Sequence, residues 1–217
     1  MKVIAITQRL MENETYPETR ECLDVRWGRL LTRLELMPIP LPTAADPAAY
    51  LTRFAPEGLL LTGGNDVSSV STSPLSKVRD AFELCVLGIA LERKLPVFAV
   101  CRGMQLLADH YGAKLEKVTG HTSGARHGLV VNRDSRFGKL LGDLASVRSY
   151  HDWGVRTVPA GFVEVARASD GVIEAMEHES LPIFCQMWHP EREDALTEGE
   201  SAVIHALFEA DGEEEKE

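Results

Sequence analysis

Strand-like and helix-like patterns of apolar residues follow one another in the first half of the chain. Short continuous apolar runs, which indicate buried strands, occur at residues 3–6, 37–41, 59–62 and 96–100. Segments in which apolar residues recur every three or four positions, which indicate helices, occur at residues 20–34, 77–92 and 103–111. Short strand–helix–strand units of this kind predict an α/β fold with a largely parallel sheet and helices on both faces.

The second half is predicted to add antiparallel strands to that sheet. Strand-like segments occur at residues 128–131, 146–150, 163–168, 172–177 and 183–187, and a last helix is predicted over Glu198–Glu209. Because we find no internal repeat and no linker, residues 1–210 are predicted to form a single domain. Residues 211–217 are predicted to be an acidic tail.

The net charge and the hydropathy of the chain argue against nucleic acid and membranes as binding partners. The 217 residues carry a net charge of −10, which argues against nucleic acid and anionic membranes, because both attract basic surfaces. The amino terminus turns polar too soon for a signal peptide, and no stretch approaches the ~20 apolar residues of a membrane span. A cytoplasmic protein is therefore predicted.

One of the four cysteines lies in a setting suited to catalysis. The cysteines show neither metal-binding nor redox spacing, so free thiols are expected, and Cys22, Cys85 and Cys185 are predicted to be small core residues. Cys101 instead lies where the strand at 96–100 runs directly into a helix. Such a turn exposes a nucleophile at the edge of a sheet, and the helix N-terminus favours a thiolate. Cys101 is the candidate nucleophile, with a core cysteine as the alternative.

A matching base lies near the end of the chain. The apolar segment at 183–187 leads to His189, Pro190 fixes the turn, and Glu191 follows two residues after the histidine. A glutamate there can accept a hydrogen bond from one ring nitrogen and leave the other to face a thiol. We therefore predict a Cys101–His189–Glu191 triad; taken alone, His189 could equally be a capped surface histidine.

Together these segments resemble the class I glutamine amidotransferase family. The family carries a C-x-G-x-Q elbow, here Cys101, Gly103 and Gln105, followed by a late H-P-E and preceded by a glycine-rich turn, here at 61–66. The resemblance covers nearly the whole chain. It implies a flavodoxin-like α/β fold, a largely parallel sheet flanked by helices with antiparallel additions.

The same resemblance implies roles for residues around the nucleophile. The backbone N–H groups of Gly64 and Arg102 would form the oxyanion hole. Gly63 and Gln105 would contact the glutamyl part of the substrate. Neither a metal nor an organic cofactor is expected, because the sequence shows no ligand cluster and no phosphate-binding glycine loop.

Within that family the chain is most similar to the stand-alone γ-glutamyl hydrolases, of the peptidase C26 type. Ser149, Tyr150 and His151 resemble the N-S-x-H element of this branch, which implies that they bind substrate. The match is partial, since Arg148 stands in place of asparagine and Trp153 in place of glutamine. His151 could act as a second base, although a structural or substrate-facing role is the simpler interpretation.

The segment after the first predicted strand departs from the usual hydrolases. Arg9, Tyr16, Arg20 and Trp27 lie at the functional end of the predicted sheet and could bind an anionic or nucleotide leaving group. Ordinary packing and surface charge are the alternative. The segment resembles amidotransferase-like proteins of bacterial surface-polysaccharide pathways, which implies hydrolysis of a γ-glutamyl nucleotide diphosphoramidate.

The expected partner is a small-molecule γ-glutamyl substrate, and a homodimer is left open. Two rival functions remain at this point. A glutaminase subunit that delivers ammonia to a separate synthase would carry the same motifs. A non-catalytic ligand-binding or scaffold protein on the same fold is the other rival, although an intact triad argues against it.

Overall fold

The computed structural model describes residues 1–209, so residue 210 and the acidic tail predicted at 211–217 lie outside the described residues. In chain order the strands are β1 (Lys2–Ile6), β2 (Arg9–Glu12), β3 (Thr19–Cys22), β4 (Leu36–Pro40), β5 (Gly58–Leu61), β6 (Val97–Val100), β7 (Glu116–Lys117), β8 (Ala125–Val131), β9 (Ser146–Ser149), β10 (Trp153–Gly154), β11 (Phe162–Ala168), β12 (Ile173–His178) and β13 (Ile183–Gln186). The helices are α1 (Val25–Arg33), α2 (Pro47–Phe54), α3 (Pro74–Glu92), α4 (Arg102–His110), α5 (Arg136–Leu141) and α6 (Glu198–Glu209), and a short 3-10 helix covers Pro190–Arg192.

The main sheet has a parallel half and an antiparallel half. Its order is β4-β1-β5-β6-β13-β12-β11-β8-β9. Neighbours from β4 to β13 pair in parallel, and neighbours from β13 to β9 pair antiparallel. This confirms the α/β class with a largely parallel sheet and antiparallel additions.

Strand β13 corrects one expectation, because it was predicted among the antiparallel additions. It pairs antiparallel with β12 but runs parallel to β6, from Ile183 opposite Val97 to Gln186 opposite Val100. All four of its side chains are buried. A strand covered on both faces suits the interior of a parallel sheet, so the chain returns from the antiparallel half to the centre of the sheet.

The helix predicted over residues 20–34 is also shorter in the structure. Thr19–Cys22 is instead strand β3, which forms a hairpin with β2. Asp24 starts α1, because its carboxylate accepts a hydrogen bond from the Arg26 N–H at 3.0 Å. Cys22 and Leu23 fall at positions that extend the apolar period of the helix towards its N-terminus. They precede the N-cap residue Asp24, however, and so lie outside the helix.

Two helices were not predicted, although each has a capping signal. Asp46 caps α2 and is followed by Pro47 at the first helical position. Ser135 caps α5 through a hydrogen bond from the Gly138 N–H at 3.1 Å. Both helices are short, so their apolar periodicity is brief and the cap is the stronger signal.

The core consists of one apolar layer on each face of the sheet. On one face α3 and α4 pack on the strands, and on the other face α1, α5 and α6 do so. Successive side chains of β1 divide between the layers, with Ala5 on one side and Ile4 and Ile6 on the other. Because the carboxyl ends of β1, β5, β6 and β13 meet at one edge, the residues that follow these strands come together there.

The four cysteines are free thiols, but only two are buried. Cys101 and Cys185 are buried, whereas Cys22 is half-buried and Cys85 is exposed on α3. The expectation that Cys22 and Cys85 are core residues was therefore wrong; on α3, the buried apolar side chains include Phe82 and Val86, whereas Cys85 is turned towards solvent. Within residues 1–209, no helix has the length and apolar character needed to cross a membrane.

Candidate active site

Cys101 lies between β6 and α4 in an unusual backbone conformation. Its φ of 52° and ψ of −104° fall in a region that glycine favours. The Cys101 N–H donates to the Gln186 carbonyl at 2.8 Å, and the Cys101 carbonyl accepts from the Gln105 N–H at 3.0 Å. Such a conformation costs about 1–3 kcal/mol and persists where the surrounding structure imposes it.

Gly103 makes this junction possible. A Cβ added at Gly103 would lie 2.5 Å from the Leu61 carbonyl oxygen and 2.9 Å from the Leu61 Cβ. Both distances are far below van der Waals contact. The first turn of α4 can therefore approach β5 this closely only with glycine at this position.

His189 follows β13 and lies beside Cys101. Its Nδ1–H donates to the Glu191 Oε1 at 2.7 Å, and both side chains are buried. A Cβ added at Gly63 would lie 2.7 Å from the His189 Cε1, 3.4 Å from the His189 Nε2 and 3.5 Å from the Cys101 Cβ. The ring and the cysteine are thus neighbours under the glycine turn, with the Nε2 left for the thiol.

The electrostatic environment favours a charged His189 ring. Burial is the largest influence and opposes the charge, but attraction and a hydrogen bond from Cys101, followed by those from Glu191, outweigh it and raise the pKa of His189 from 6.5 to about 9. An imidazolium at neutral pH is what a thiolate neighbour would stabilise.

Of the two residues predicted to supply oxyanion-hole N–H groups, Arg102 directly follows Cys101, and Gly64 follows Gly63, where an added Cβ would lie 3.5 Å from the Cys101 Cβ. Arg102 is the first residue of α4, so its N–H has no acceptor within the helix. Gly64 follows β5 with a φ of +105°, and a Cβ there would lie 2.7 Å from the Arg9 Cβ. The glycine is therefore required both by its backbone angle and by the close approach of β2.

A buried arginine on α3 fixes the glycine turn. The Arg79 guanidinium donates to the Gly63 carbonyl at 3.0 Å, to the Thr62 carbonyl at 2.9 Å and to the Asn65 Oδ1 at 3.3 Å. Burial lowers the pKa of Arg79 to about 10, against the attraction of Glu83, so the group stays protonated at neutral pH. The turn that carries Gly64 is thus held by hydrogen bonds from a buried, positively charged side chain.

The same charge network reaches the residue after the nucleophile. Glu83 pairs with Arg79 at 2.9 Å and also with Arg102, whose guanidinium pairs in addition with Asp80. Burial opposes the charge of Glu83, but Arg102 and Arg79 hold its pKa below the ordinary value. Both proposed oxyanion donors are therefore fixed to one network, which sequence patterns did not indicate.

A pocket of about 230 Å³ opens beside His189 and Glu191. Residues 62–64, Arg9, Trp27 and Arg192 form part of its wall. A groove of about 810 Å³ shares Glu191 and Arg192 with this pocket and extends along α1. Three further arginines line the groove, at Arg26, Arg29 and Arg33.

The residues predicted for the leaving group divide into two pairs. Arg9 and Trp27 line the pocket, although Trp27 is almost fully buried. Tyr16 and Arg20 lie in the hairpin beyond it, where the Arg20 guanidinium donates to the Tyr16 Oη at 2.8 Å and pairs with Glu18. Arg192, missed in the sequence, lies in the pocket wall directly after the H-P-E motif, and that adjacency was its only signal.

The other predicted substrate residues, Gln105, Ser149, Tyr150 and His151, do not line this pocket. Tyr150 places its ring edge-on to that of His189, with centroids 5.7 Å apart. Gln105 donates to the Trp153 carbonyl at 2.8 Å. Ser149 and His151 are buried in a group of histidines and are not part of the pocket wall. Their substrate contacts stay a prediction.

The chain is similar in sequence to known proteins over most of its length. A model of the peptidase C26 family matches residues 2–191. A γ-glutamyl-CDP-amidate hydrolase of Campylobacter jejuni is 34% identical over 196 residues, covering 89% of this chain and 92% of that protein. A glutamine-hydrolysing GMP synthase subunit of Thermococcus kodakarensis is 30% identical over 149 residues, covering 67% and 71%.

Solved structures show the same fold at low sequence identity. A glutamine amido transferase from Methylobacillus flagellatus superposes with a TM-score of 0.60 at 17% identity, covering 88% of this chain and 71% of that one. A candidate GMP synthase subunit from Thermoplasma acidophilum gives a TM-score of 0.70, also at 17% identity, covering 96% and 94%. The architecture is thus that of the class I glutamine amidotransferases.

Proposed function

The chain belongs to the peptidase C26 family, and from that premise we propose that it hydrolyses a γ-glutamyl amide bond with Cys101 as nucleophile. The observation that carries the proposal is the junction at Cys101, held at positive φ beside the His189–Glu191 pair. A strained cysteine next to a buried, oriented imidazole is the arrangement that thiol hydrolases use.

The proposed reaction has two stages. The Cys101 thiolate attacks the side-chain carbonyl of the γ-glutamyl group, and the His189 imidazolium protonates the leaving nitrogen, which departs as an amine or amidate. This leaves a thioester on Cys101. His189, now neutral, takes a proton from water as the water attacks the thioester, and the products are glutamate and the regenerated thiolate.

The oxyanion of each stage would be bound by the N–H groups of Gly64 and Arg102. One such donor contributes about 3 kcal/mol to the transition state. Support for this role comes from the charge network under both residues, because Arg79 and Glu83 limit movement of the donors during the reaction. Preorganisation of this kind is the main source of such stabilisation.

We further propose that the leaving group is anionic and carries phosphate. The pocket wall and the adjoining groove present Arg9, Arg29 and Arg192, and an arginine fork matches phosphate oxygens. Arg9 and Arg29 form no ion pair with any residue in 1–209. The Campylobacter jejuni relative is named for a γ-glutamyl-CDP-amidate, a substrate of this class. A place in surface-polysaccharide biosynthesis stays a prediction.

A glutaminase that supplies ammonia to a separate synthase is the second candidate. It is favoured by the identity to the GMP synthase subunit of Thermococcus kodakarensis. The two candidates differ in what the isolated chain does. A hydrolase acts alone, whereas a synthase subunit gains activity when its partner is added. Cytoplasmic location and a homodimer also stay predictions.

The test is to incubate the purified chain alone with three substrates: glutamine, a γ-glutamyl alkylamine and a γ-glutamyl phosphoramidate. We expect fastest turnover of the phosphoramidate, total loss in Cys101→Ala, and a glutamyl adduct on Cys101 in mass spectra of acid-quenched samples. Cys85→Ala, at an exposed cysteine outside the site, is the matched control and should remain active. Turnover by Cys101→Ala, or an adduct on another cysteine, would contradict the proposal.

A further inference from the structure

Three histidines converge on one buried carboxylate behind the triad. Glu174 of β12 is 0% exposed, and its Oε1 lies 3.0 Å from the His121 Nδ1, 3.5 Å from the His151 Nε2 and 3.6 Å from the His127 Nε2. The ligand atoms of His121, His151 and Glu174 all lie within 4.8 Å of one another. These four residues are called the His–Glu cluster below.

The outer nitrogen of each ring faces a hydrogen-bond acceptor. The His121 Nε2 lies 3.2 Å from the Asp170 Oδ2, and the His151 Nδ1 lies 3.0 Å from the Trp153 carbonyl oxygen. The His127 Nδ1 lies 3.2 Å from the Gly128 carbonyl oxygen. An imidazole that donates from its outer nitrogen leaves a lone pair on its inner nitrogen.

The centre of the cluster therefore collects more acceptors than donors. The His151 Nε2 and both Glu174 carboxylate oxygens have no hydrogen-bond partner within the described part of the chain. The His121 contact is close enough for an ion pair but lacks hydrogen-bond geometry. The Ser149 hydroxyl has one proton to donate, and its closest acceptor is the His127 Nε2 at 2.5 Å. A buried carboxylate surrounded by lone pairs is costly unless a positive charge lies among them.

We propose that the His–Glu cluster binds one divalent transition-metal ion, of the zinc class, through His121, His151 and Glu174. Two imidazoles and a carboxylate are a typical zinc ligand set, and ligand atoms about 2.0–2.1 Å from a tetrahedral ion lie about 3.3 Å apart. The separations of 3.0 and 3.5 Å from the Glu174 Oε1 fit that spacing. The His127 Nε2 lies 3.6 Å from the same carboxylate oxygen.

The partners of the outer nitrogens support the same conclusion. Histidines that bind zinc usually donate their other N–H to a carboxylate or a backbone carbonyl, which fixes the tautomer. The Asp170 carboxylate does this for His121, and the Trp153 carbonyl does it for His151. The arrangement around the cluster is thus already that of a metal site.

The ion would position the active site rather than take part in the reaction. No member of the cluster lines the pocket beside His189 and Glu191. However, the Trp153 carbonyl that orients His151 also accepts from Gln105 on α4, and Tyr150, next to His151, packs edge-on against His189. A bound ion would join the loop before β8, the segment before β10, and β12, and so hold these residues against the triad.

Metal content and spectroscopy test this inference independently of turnover. The full chain, purified without a histidine tag, should contain close to one zinc per chain after dialysis against zinc and then buffer. The cobalt-substituted protein should show the intense visible absorption of a tetrahedral site. Glu174→Gln, which keeps the shape of the side chain, should lose both signals. His205→Gln is the matched control at an accessible histidine outside the cluster and should retain them.

A second variant guards against misfolding of Glu174→Gln. Asp170→Asn changes a partly exposed outer residue and should weaken zinc binding about 10- to 100-fold while the protein stays folded. The inference is overturned if the wild-type protein retains no zinc after dialysis, since the central charge would then be a proton on His121. It is also overturned if Asp170→Asn and Glu174→Gln bind zinc as tightly as wild type does.

Discussion

Replacing Cys101 with alanine should lower the pKa of His189. Burial of the ring opposes its charge, and Cys101 provides the strongest opposing influences, so without the cysteine only Glu191 remains to support the imidazolium. The pKa should then fall from about 9 towards or below 6.5. The backbone junction should be unaffected, because the substitution keeps a Cβ and both backbone hydrogen bonds.

The raised pKa of His189 beside Cys101 makes the free energy of unfolding depend on pH. A raised pKa means that the folded chain binds the proton more tightly than the unfolded chain does. The stabilisation is therefore fully present below pH 6.5 and is lost as the pH rises through about 9. A rise from 6.5 to about 9 corresponds to about 3 kcal/mol, at about 1.4 kcal/mol per pH unit.

The assay has two parts. Proton NMR titration of the imidazole signals gives the pKa of His189 in wild type, in Cys101→Ala and in the control Cys85→Ala. Urea unfolding across the same pH range gives the free energy of unfolding, and the wild-type advantage over Cys101→Ala should shrink as the pH rises. If His189 titrates at the same pH in all three proteins, the attraction from Cys101 is not the cause of the raised pKa.

Three further predictions concern the orienting carboxylate, the elbow and the pocket. Glu191→Gln should reduce kcat less than His189→Ala does, because the amide oxygen can still accept the Nδ1 hydrogen bond; an unchanged rate would mean that something else orients the ring. Gly103→Ala should lower the free energy of unfolding by about 1–3 kcal/mol, since its Cβ would meet the Leu61 carbonyl, and an unchanged thermal midpoint would refute this. Arg9→Ala should slow turnover of a γ-glutamyl phosphoramidate much more than that of glutamine, whereas Arg20→Ala, outside the pocket wall, should slow neither; equal losses on both substrates in Arg9→Ala would exclude a leaving-group role.

Some features of the fold and the site could be predicted because they depend on residues that are adjacent in the sequence. The apolar runs at 59–62 and 96–100 correspond to β5 and β6, in which every side chain is buried. The elbow at Cys101 could also be located, because a strand, a cysteine and a helix follow one another directly. These signals need no knowledge of distant contacts.

Other features depend on contacts between distant segments. Arg79 and Glu83 lie on one helix face and would ordinarily be interpreted as a surface pair, yet both are buried because Arg102 and the glycine turn complete their network. The His–Glu cluster is assembled from two separate loops, which carry His121 and His151, and from strands β8 and β12, without motif spacing. The division between β3 and α1 depended on a single cap, which apolar periodicity does not register.

The backbone at Cys101 has an evolutionary consequence. A glycine at this position would adopt the φ of 52° without steric strain, and relief of about 1 kcal/mol or more could exceed the entropy that glycine loses on folding. Without selection for activity, substitution of Cys101 by glycine would thus tend to give a more stable but inactive protein. Retention of cysteine at this position among relatives would therefore indicate selection for turnover, and relatives that have lost it are expected to keep the fold without the chemistry.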